Sequence, residues 1–223
     1  KILSISMLVG NDLYYSNIEN INDIQNLKEI FEDESIKKIG YKLGEDYVIL
    51  KENNITMKNI YFDIEIAAYL LSPTTNQYKL NDLMNQYLEV DVDEYLNSKG
   101  LLNIQNKQIN LFDMTNDLNQ NETKKEETSF IVLNMKKLKN TLNKRLEEEN
   151  EIELFRNIEM PLVEVLSKMQ FEGMYLDKEE LIAFGEELKS GLEILTKEIY
   201  DLAGEEFNIN STQQLGVVLF EKL

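Results

Sequence analysis

The stretch that decides the fold is NIYFDIEIAAYLLS, residues 59–72. Its first part is apolar and aromatic and ends at Asp63, which is typical of a short buried strand. The part after Asp63 is apolar on consecutive turns and is stopped only by Pro73, so it predicts a buried helix. A strand that leads directly into a helix indicates a layered fold of helices and strands.

The sequence on either side of this stretch also alternates between strands and helices. Residues Ile2 to Val9 fit a strand, and Gly10-Asn11-Asp12 predicts a tight turn into the second strand of an antiparallel hairpin. The alternation predicts an α/β fold with a mixed sheet. The other elements predicted in this part are a helix at 22–33, a strand at 35–41, and helices at 43–50 and 80–88.

The second half of the chain differs in composition. Residues 97–127 are rich in Asn, Gln and Lys and lack periodicity, which predicts a long polar loop. Beyond this loop the chain is predicted to be mostly helical. One helix follows Asp177, which forms a capping box with Glu180. The apolar residues of that helix, at spacings of three and four, are expected to be buried: Leu181, Phe184, Leu188, Leu192, Leu195, Ile199 and Leu202.

The composition excludes several kinds of chemistry. The chain has no cysteine and no histidine, so thiol nucleophiles, disulfides, Cys or His zinc sites and Ser-His-Asp catalysis are ruled out. Any catalysis must rest on carboxylates, which point to Mg²⁺ or Mn²⁺. The lack of cysteine is compatible with a reducing, cytoplasmic location.

The net charge bears on the partners. At −18, the surface repels a phosphate backbone, so the chain alone is expected to bind DNA weakly or not at all. Solubility is the ordinary explanation for such a charge. No apolar run reaches the roughly 20 residues of a membrane helix, so no membrane partner is expected.

Three segments together resemble one family, the bacterial DNA polymerase I or family A polymerases. They are FRNIEMPLVEVLSKMQFEGMYLD at 155–177, IYDLAGEEFNINSTQQLGVVLFEKL at 199–223, and YFDIEIAAYLLSPTTNQYKLNDLMNQYL at 61–88. The resemblance implies a ribonuclease H-like 3′–5′ exonuclease-type domain over 1–157, with the polar loop inside it. It implies the beginning of the polymerase domain, the thumb-base helices, over 158–223.

The same resemblance implies a larger parent protein. The fingers, the palm and the polymerase carboxylates would follow Leu223. The intact enzyme would extend DNA primers in replication and repair, with Mg²⁺ as its cofactor. The other polymerase domains would be partners in the same chain, and DNA would be bound through the intact polymerase.

Active exonuclease domains of this family hold two divalent metals with carboxylates from three motifs. The second motif falls on GYKLGEDYVIL, residues 40–50. Gly40 and Asp46 match its glycine and its metal-binding aspartate. Lys42 takes the asparagine position, and Glu45 takes a position that is usually aromatic. One carboxylate of this motif is therefore kept, while its neighbours are changed.

The first and third motifs have no match in this chain. The first, Asp-x-Glu, belongs just before the opening strand, and no acid precedes Asp12. The third, Tyr-x-x-x-Asp, would place its aspartate near Val132. No acid lies between Ser129 and Lys139, and the required tyrosine is missing as well.

These losses favour an exonuclease-type domain that is catalytically inactive and structural. Asp46 would then be an acid at a helix start, where the helix dipole favours it by roughly 0.3–1 kcal/mol. No metal or other cofactor is expected in this chain, and Asp46 would bind metal only if the nuclease is active. One alternative is an active 3′–5′ proofreading exonuclease whose first motif precedes Lys1. Another is an acidic module that binds a partner protein.

Simple structural roles are also expected for the neighbouring polar and aromatic residues. Asp63 is expected to cap the helix that follows it. Lys42 is expected to pair with Glu45 or Asp46, which is favoured over a contact with a DNA phosphate. The remaining candidates are assigned to packing or capping in preference to DNA contact: Tyr69, Tyr78, Ser211 and Gln214.

Overall fold

A computed structural model describes residues 2–18, 20–101 and 115–222. The chain divides into two compact units, residues 1–173 and 174–223. Residues 158–172, which the family resemblance assigns to the second part of the chain, pack within the first unit. No helix in the described ranges is long and apolar enough to cross a bilayer.

The first unit contains short strands and helices followed by one long helix. Its strands are β1 Ser4–Val9, β2 Asp12–Asn17, β3 Lys38–Gly40 and β4 Ile60–Asp63. Its helices are α1 Ile21–Gln25, α2 Lys28–Glu32, α3 Leu43–Glu52, α4 Ile64–Leu71, α5 Leu80–Leu88, α6 Val92–Ser98, α7 Thr115–Glu148, α8 Ile152–Leu154 and α9 Met160–Glu172.

The strands pair in both senses, which confirms the α/β class with antiparallel and parallel pairing. β1 and β2 form the predicted hairpin, with Val9 opposite Asp12, and Gly10 turns with a φ of 66°. β3 and β4 form a separate parallel pair with Gly40 opposite Asp63. Because parallel strands share an edge at their carboxyl ends, the residues after Gly40 and Asp63 lie close together.

The main core lies between α7 and the helices α4, α5 and α6. Three leucines four residues apart on α7, Leu138, Leu142 and Leu146, are fully buried. The ring of Phe62 from β4 meets the ring of Phe155 with centroids 4.7 Å apart. The strand-to-helix stretch at 59–72 is therefore at the centre of this core, as its apolar sequence predicts.

A second apolar cluster lies beneath α3. Leu43, Tyr47 and Leu50 are buried on the inward face of this helix. α3 also packs against α9, where Gly44 comes so close to Ser167 that an added Cβ would lie 3.0 Å from the Ser167 Oγ. This close approach joins the helix that carries Asp46 to the region 158–172.

The prediction of a polar loop at 97–127 is wrong at both of its ends. α6 continues to Ser98 and α7 already begins at Thr115, while residues 102–114 lie outside the described ranges. The early turns of α7 are held by contacts distant in sequence. The ring of Tyr95 stacks on Phe130 at 3.8 Å, and its hydroxyl donates to Glu126 at 3.0 Å. Glu, Lys and Gln are good helix formers, so a polar composition is compatible with a helix once such contacts exist.

The segment before α9 contains a π-helical turn at Phe155–Glu159. Pro161 then falls in the first turn of α9, directly after the π turn, and provides no backbone N–H there. A π turn holds an additional residue, so apolar positions before and after it lie on different faces. α9 ends at Gly173, which has a φ of 69°.

The second unit contains helices α10, Lys178–Ala203, and α11, Thr212–Val217, and a π turn at Val218–Lys222. Asp177 caps α10 as predicted, accepting from the N–H groups of Glu179 and Glu180. The predicted burial of its apolar residues is wrong, since Leu192 is 63% exposed and no residue of α10 is buried. The periodicity is correct for a helix, but it did not predict the exposure of these residues.

Candidate functional site: the carboxylate cluster

The candidate site lies where the carboxyl ends of β3 and β4 meet. Two residues separate β3 from α3, and α4 begins directly after β4. The first turn of α3 contains Glu45 and Asp46, and that of α4 contains Glu65. We use the name carboxylate cluster for the acids of these turns together with Asp63: Glu45, Asp46, Asp63 and Glu65.

Asp63 is the structural centre of the cluster. It is 1% exposed, and both of its oxygens accept hydrogen bonds from backbone N–H groups. Oδ1 accepts from Glu65 at 2.8 Å and from Ile66 at 3.4 Å, which confirms the predicted cap of α4. Oδ2 accepts from Leu43 at 2.7 Å, and Oδ1 accepts from Lys42 at 3.4 Å, so Asp63 also holds the start of α3.

The surroundings of Asp63 act on the pKa of its carboxyl group in opposite directions. Burial raises the pKa of its carboxyl group, while the four backbone N–H groups oppose that increase. Amides at two helix starts offer partial positive charge to the carboxylate. Asp63 is therefore committed to joining two helices.

Lys42 bridges the two helix starts from outside. Its backbone is left-handed, with φ 58° and ψ 42°. Its Nζ lies 3.0 Å from the Glu45 Oε1, one of the two expected partnerships, and 3.9 Å from the Glu65 Oε1. The hydrogen bond to Glu45 and the charge of Glu65 raise the pKa of Lys42. Two carboxylates from different helices thus converge on one ammonium group.

Asp46 lies in a different environment from its neighbours. The residue is exposed, yet the protein around its carboxyl group removes part of the solvent. This desolvation, followed by the negative charges of Asp63 and Glu45, raises the pKa of Asp46 to about 6. The nearby charges that act on it are repulsive, so Asp46 is the carboxylate of the cluster that has no compensating charge.

The carboxylate cluster does not fit a two-metal centre. Hard divalent cations take six or more oxygen ligands, and two of them require several free carboxylates. Here both oxygens of Asp63 are bonded to amides, and Glu45 and Glu65 are bonded to Lys42. Across the described ranges, no group of three or more Asp, Glu, His or Cys side chains could hold a metal ion.

The position of the third motif contributes no carboxylate. Val132 lies on α7 and is half-buried. Close to it, Asn134 is buried and donates from Nδ2 to the carbonyl oxygen of Phe130 at 2.9 Å. This part of α7 has the features of a packed core helix.

Tyr69 and Tyr78, which the sequence analysis assigned to packing, make packing contacts. The rings of Tyr69 and Tyr78 meet edge to face, with centroids 6.3 Å apart. The Tyr78 hydroxyl donates to the carbonyl oxygen of Ser72 at 2.7 Å, and the Tyr78 carbonyl accepts from the Tyr41 hydroxyl at 2.9 Å. Tyr69 is 43% exposed, so this pair lies at the edge of the core.

Ser211 and Gln214 act as caps in the second unit. The Ser211 Oγ accepts from the backbone N–H of Gln214 at 3.4 Å. The Gln214 side chain accepts from the N–H of Asn208 at 2.8 Å, three residues before the helix cap. This second bond shows that the side chain ties the preceding turn to α11.

Sequence reasoning missed Glu65 and the second role of Asp63. Both depend on the parallel pairing of β3 with β4, which brings residues about twenty positions apart into contact. A signal was present in the sequence, because two successive short strands are each followed by acids at a helix start. Their parallel pairing would have predicted that these acids meet at one edge of the sheet.

Comparison with known proteins identifies the class of the domain in the first unit and the family of the chain. Residues 1–104 match the family model for the ribonuclease H-like domain of DNA polymerase I. The first unit thus contains an exonuclease-like domain of the ribonuclease H-like class. DNA polymerase I of Bacillus subtilis (strain 168) is 29% identical over 100% of this chain, and that of Lactococcus lactis subsp. cremoris (strain MG1363) is 34% identical over 94%. The chain belongs to the DNA polymerase I family and matches the segment with the exonuclease-like domain.

The match covers only a part of each relative. The chain spans 24% of the Bacillus subtilis protein and 22% of the Lactococcus protein, which is about a quarter of their length. A solved structure, the POL domain of Pol1 from M. smegmatis in complex with DNA primer-template and dNTP, has the same fold. It gives a TM-score of 0.77 at 18% identity and covers 99% of this chain and 34% of that one.

Proposed function

We propose that this chain serves a DNA polymerase I as a catalytically inactive exonuclease-type domain joined to the base of the polymerase thumb. The observation that carries the proposal is the use of the acids in the carboxylate cluster. Asp63 binds backbone amides, and Glu45 and Glu65 bind Lys42, which leaves Asp46 as the one uncommitted carboxylate.

This arrangement argues against phosphodiester hydrolysis. A two-metal mechanism needs one cation to activate water and a second to stabilise the leaving oxygen, about 4 Å apart. One free carboxylate is too few ligands for two such ions. The raised pKa of Asp46 also gives it less negative charge near pH 6 than an ordinary aspartate.

The remaining role is that of a structural platform. Exposed apolar residues on the π turn before α9, on α9 and on α10 suit packing against the other domains of a polymerase in the same chain. In this proposal the intact enzyme, in the cytoplasm, performs DNA-templated DNA synthesis with Mg²⁺ bound in its polymerase domain. The residues that support such packing are Ile158, Val165, Met169, Leu188, Leu192 and Leu195.

A nuclease assay tests the inactive state. The chain is incubated with 5′-labelled single-stranded DNA and either Mg²⁺ or Mn²⁺, and the products are separated by length. We expect no shortening from the 3′ end, and the same result with Asp46→Ala. Degradation by the wild-type chain that Asp46→Ala abolishes would show an active proofreading exonuclease instead.

A binding titration tests the expected lack of DNA affinity. Fluorescence anisotropy of a labelled primer-template is measured with the chain at low and at physiological salt. With a net charge of −18, we expect weak or no binding even at low salt. Tight binding that falls steeply as salt rises would contradict this and would place DNA contacts within the chain.

A further inference from the structure

The segment between α9 and α10, residues 173–177, combines exposed apolar side chains with a backbone outside any helix or strand. We infer that this segment, named here the apolar linker, is a cleavage site for an endoprotease with an apolar specificity pocket. Water would add across the Tyr175–Leu176 peptide bond and leave a carboxylate on Tyr175 and an amino group on Leu176. The inference goes beyond the proposed function, because it holds whether or not the nuclease is active.

The side chains of the apolar linker are unusually exposed for their type. Met174 is 87% exposed, Tyr175 is 90% exposed and Leu176 is 63% exposed. Single exposed apolar residues are common, but three in succession form a patch that another protein can bind. A protease pocket that accepts aromatic or long aliphatic side chains can therefore reach all three.

The backbone of the apolar linker is also accessible. Gly173 ends α9 with φ 69° and ψ −166°, a conformation that is essentially restricted to glycine. Asp177 caps the start of α10. Among the described residues, no backbone hydrogen bond joins Met174, Tyr175 or Leu176 to another part of the chain. A protease cleft needs several residues of free backbone, and this linker provides them without prior unfolding.

Two exposed phenylalanines close to the linker lack this freedom of the backbone. Phe171 lies on α9 and is 38% exposed, and Phe184 lies on α10 and is 56% exposed. Both suit the same pocket as Tyr175, but a helix must unwind locally before its peptide bonds enter a cleft. They are therefore internal controls for the contribution of the backbone.

The position of the linker determines which elements a cut would separate. Before it, Met160 and Val163 of α9 are buried, and α9 packs against α3. After it, no residue of α10 is buried. A cut at Tyr175 would therefore leave α9 with the first unit. The division after residue 157 that the family resemblance implies lies beside the buried Phe155, where a protease has poor access.

Limited proteolysis of the full 223-residue chain tests the inference. Chymotrypsin is added at a low ratio to the chain, and intact-mass spectrometry locates each cut and follows its rate. We expect the bond after Tyr175 to be cleaved about tenfold faster than the bonds after Phe171 and Phe184. Cuts elsewhere in the chain give products of other masses and do not enter this comparison.

A variant of the linker and a second protease separate the side chains from the backbone. Replacing Met174, Tyr175 and Leu176 together by serine should slow the chymotrypsin cut in the linker by about tenfold. Tyr14→Ser is the matched control, since Tyr14 is 54% exposed but lies on β2, and it should leave that rate unchanged. Subtilisin, which accepts many side chains, should cut the linker in both the wild-type chain and the serine variant.

Three results would overturn the inference. Cleavage after Phe171 or Phe184 as fast as after Tyr175 would mean that the linker backbone is no more accessible than a helix. Resistance of the linker to both proteases, in a chain that is folded by circular dichroism, would mean that it is protected. An unchanged chymotrypsin rate in the serine variant would mean that the apolar side chains do not select the bond. The nuclease assay is unaffected by these results and tests the proposed function separately.

Discussion

α7 of the first unit and α10 of the second have apolar residues at the same helical spacing but opposite degrees of burial. Leu138 and Leu142 of α7 are completely buried, whereas Leu188 and Leu192 of α10 are 52% and 63% exposed. α7 is covered by α4, α5 and α6, while α10 has no buried residue. The comparison teaches that apolar periodicity predicts a helix and one apolar face, but not the presence of a partner.

Leucine truncation should show the largest difference between these helices. Leu142→Ala leaves a cavity in the core and is expected to lower the free energy of unfolding by about 3 kcal/mol. Leu192→Ala removes an exposed side chain and should cost less than about 0.5 kcal/mol. Urea unfolding followed by circular dichroism measures both. Equal losses would mean that α10 is packed in solution as tightly as α7.

Removing the helix caps Asp63 and Asp177 should give the second largest difference in stability. Asp63→Ala leaves buried N–H groups of two helix starts without an acceptor, so we expect a loss of about 2–3 kcal/mol. Asp177→Ala removes an exposed cap of one helix and should cost about 1 kcal/mol. The same unfolding experiment applies. A cost for Asp63→Ala as small as that for Asp177→Ala would contradict its role in joining α3 to α4.

Glycine substitutions test the contact between α3 and α9. A Cβ at Gly44 would lie 3.0 Å from the Ser167 Oγ, whereas one at Gly191 of α10 meets nothing within 4 Å. Gly191→Ala should stabilise its helix by about 0.5–1 kcal/mol. Gly44→Ala should be more favourable by about 1 kcal/mol in a Ser167→Ala background than alone. Additivity of the two changes would show that α3 and α9 are not packed this closely.

Asp46→Asn should give the smallest effect, and one that depends on pH. The pKa of Asp46 is raised to about 6 from its ordinary value of 3.8, so the folded state favours the protonated acid. Stability from this group is present below pH 4 and is lost as pH rises through 6. At pH 7.5 we expect Asp46→Asn to be more stable by about 0.5–1 kcal/mol, allowing for solvent screening at an exposed residue.

Thermal unfolding from pH 4 to pH 8 checks this expectation. The difference between Asp46→Asn and the wild-type chain should grow between pH 4 and pH 7 and should be small at the acid end. A constant difference would mean that Asp46 is as well solvated as an ordinary aspartate. A fall in stability at pH 7.5 would mean that the ionised Asp46 makes a favourable contact.

The candidate site was predictable where its interactions are local. Asp63 stands directly before an apolar helix, so its cap could be predicted, and Lys42 and Glu45 are three residues apart. The bonds from Asp63 to Leu43 and from Lys42 to Glu65 join residues 20 and 23 positions apart. Such contacts depend on how β3 and β4 pair, which a helix or strand pattern does not specify.

The sequence by itself determined most strands and helices, the hairpin at Gly10, the caps at Asp63 and Asp177, and the carboxylate chemistry left by the lack of cysteine and histidine. These features depend on neighbouring residues and on composition. Only the tertiary structure decided that residues 115–127 are helical, that no residue of α10 is buried, and that Lys42 compensates two acids. Burial and charge pairing depend on which distant elements meet, because apolar burial and Coulomb interactions act through space and not along the chain.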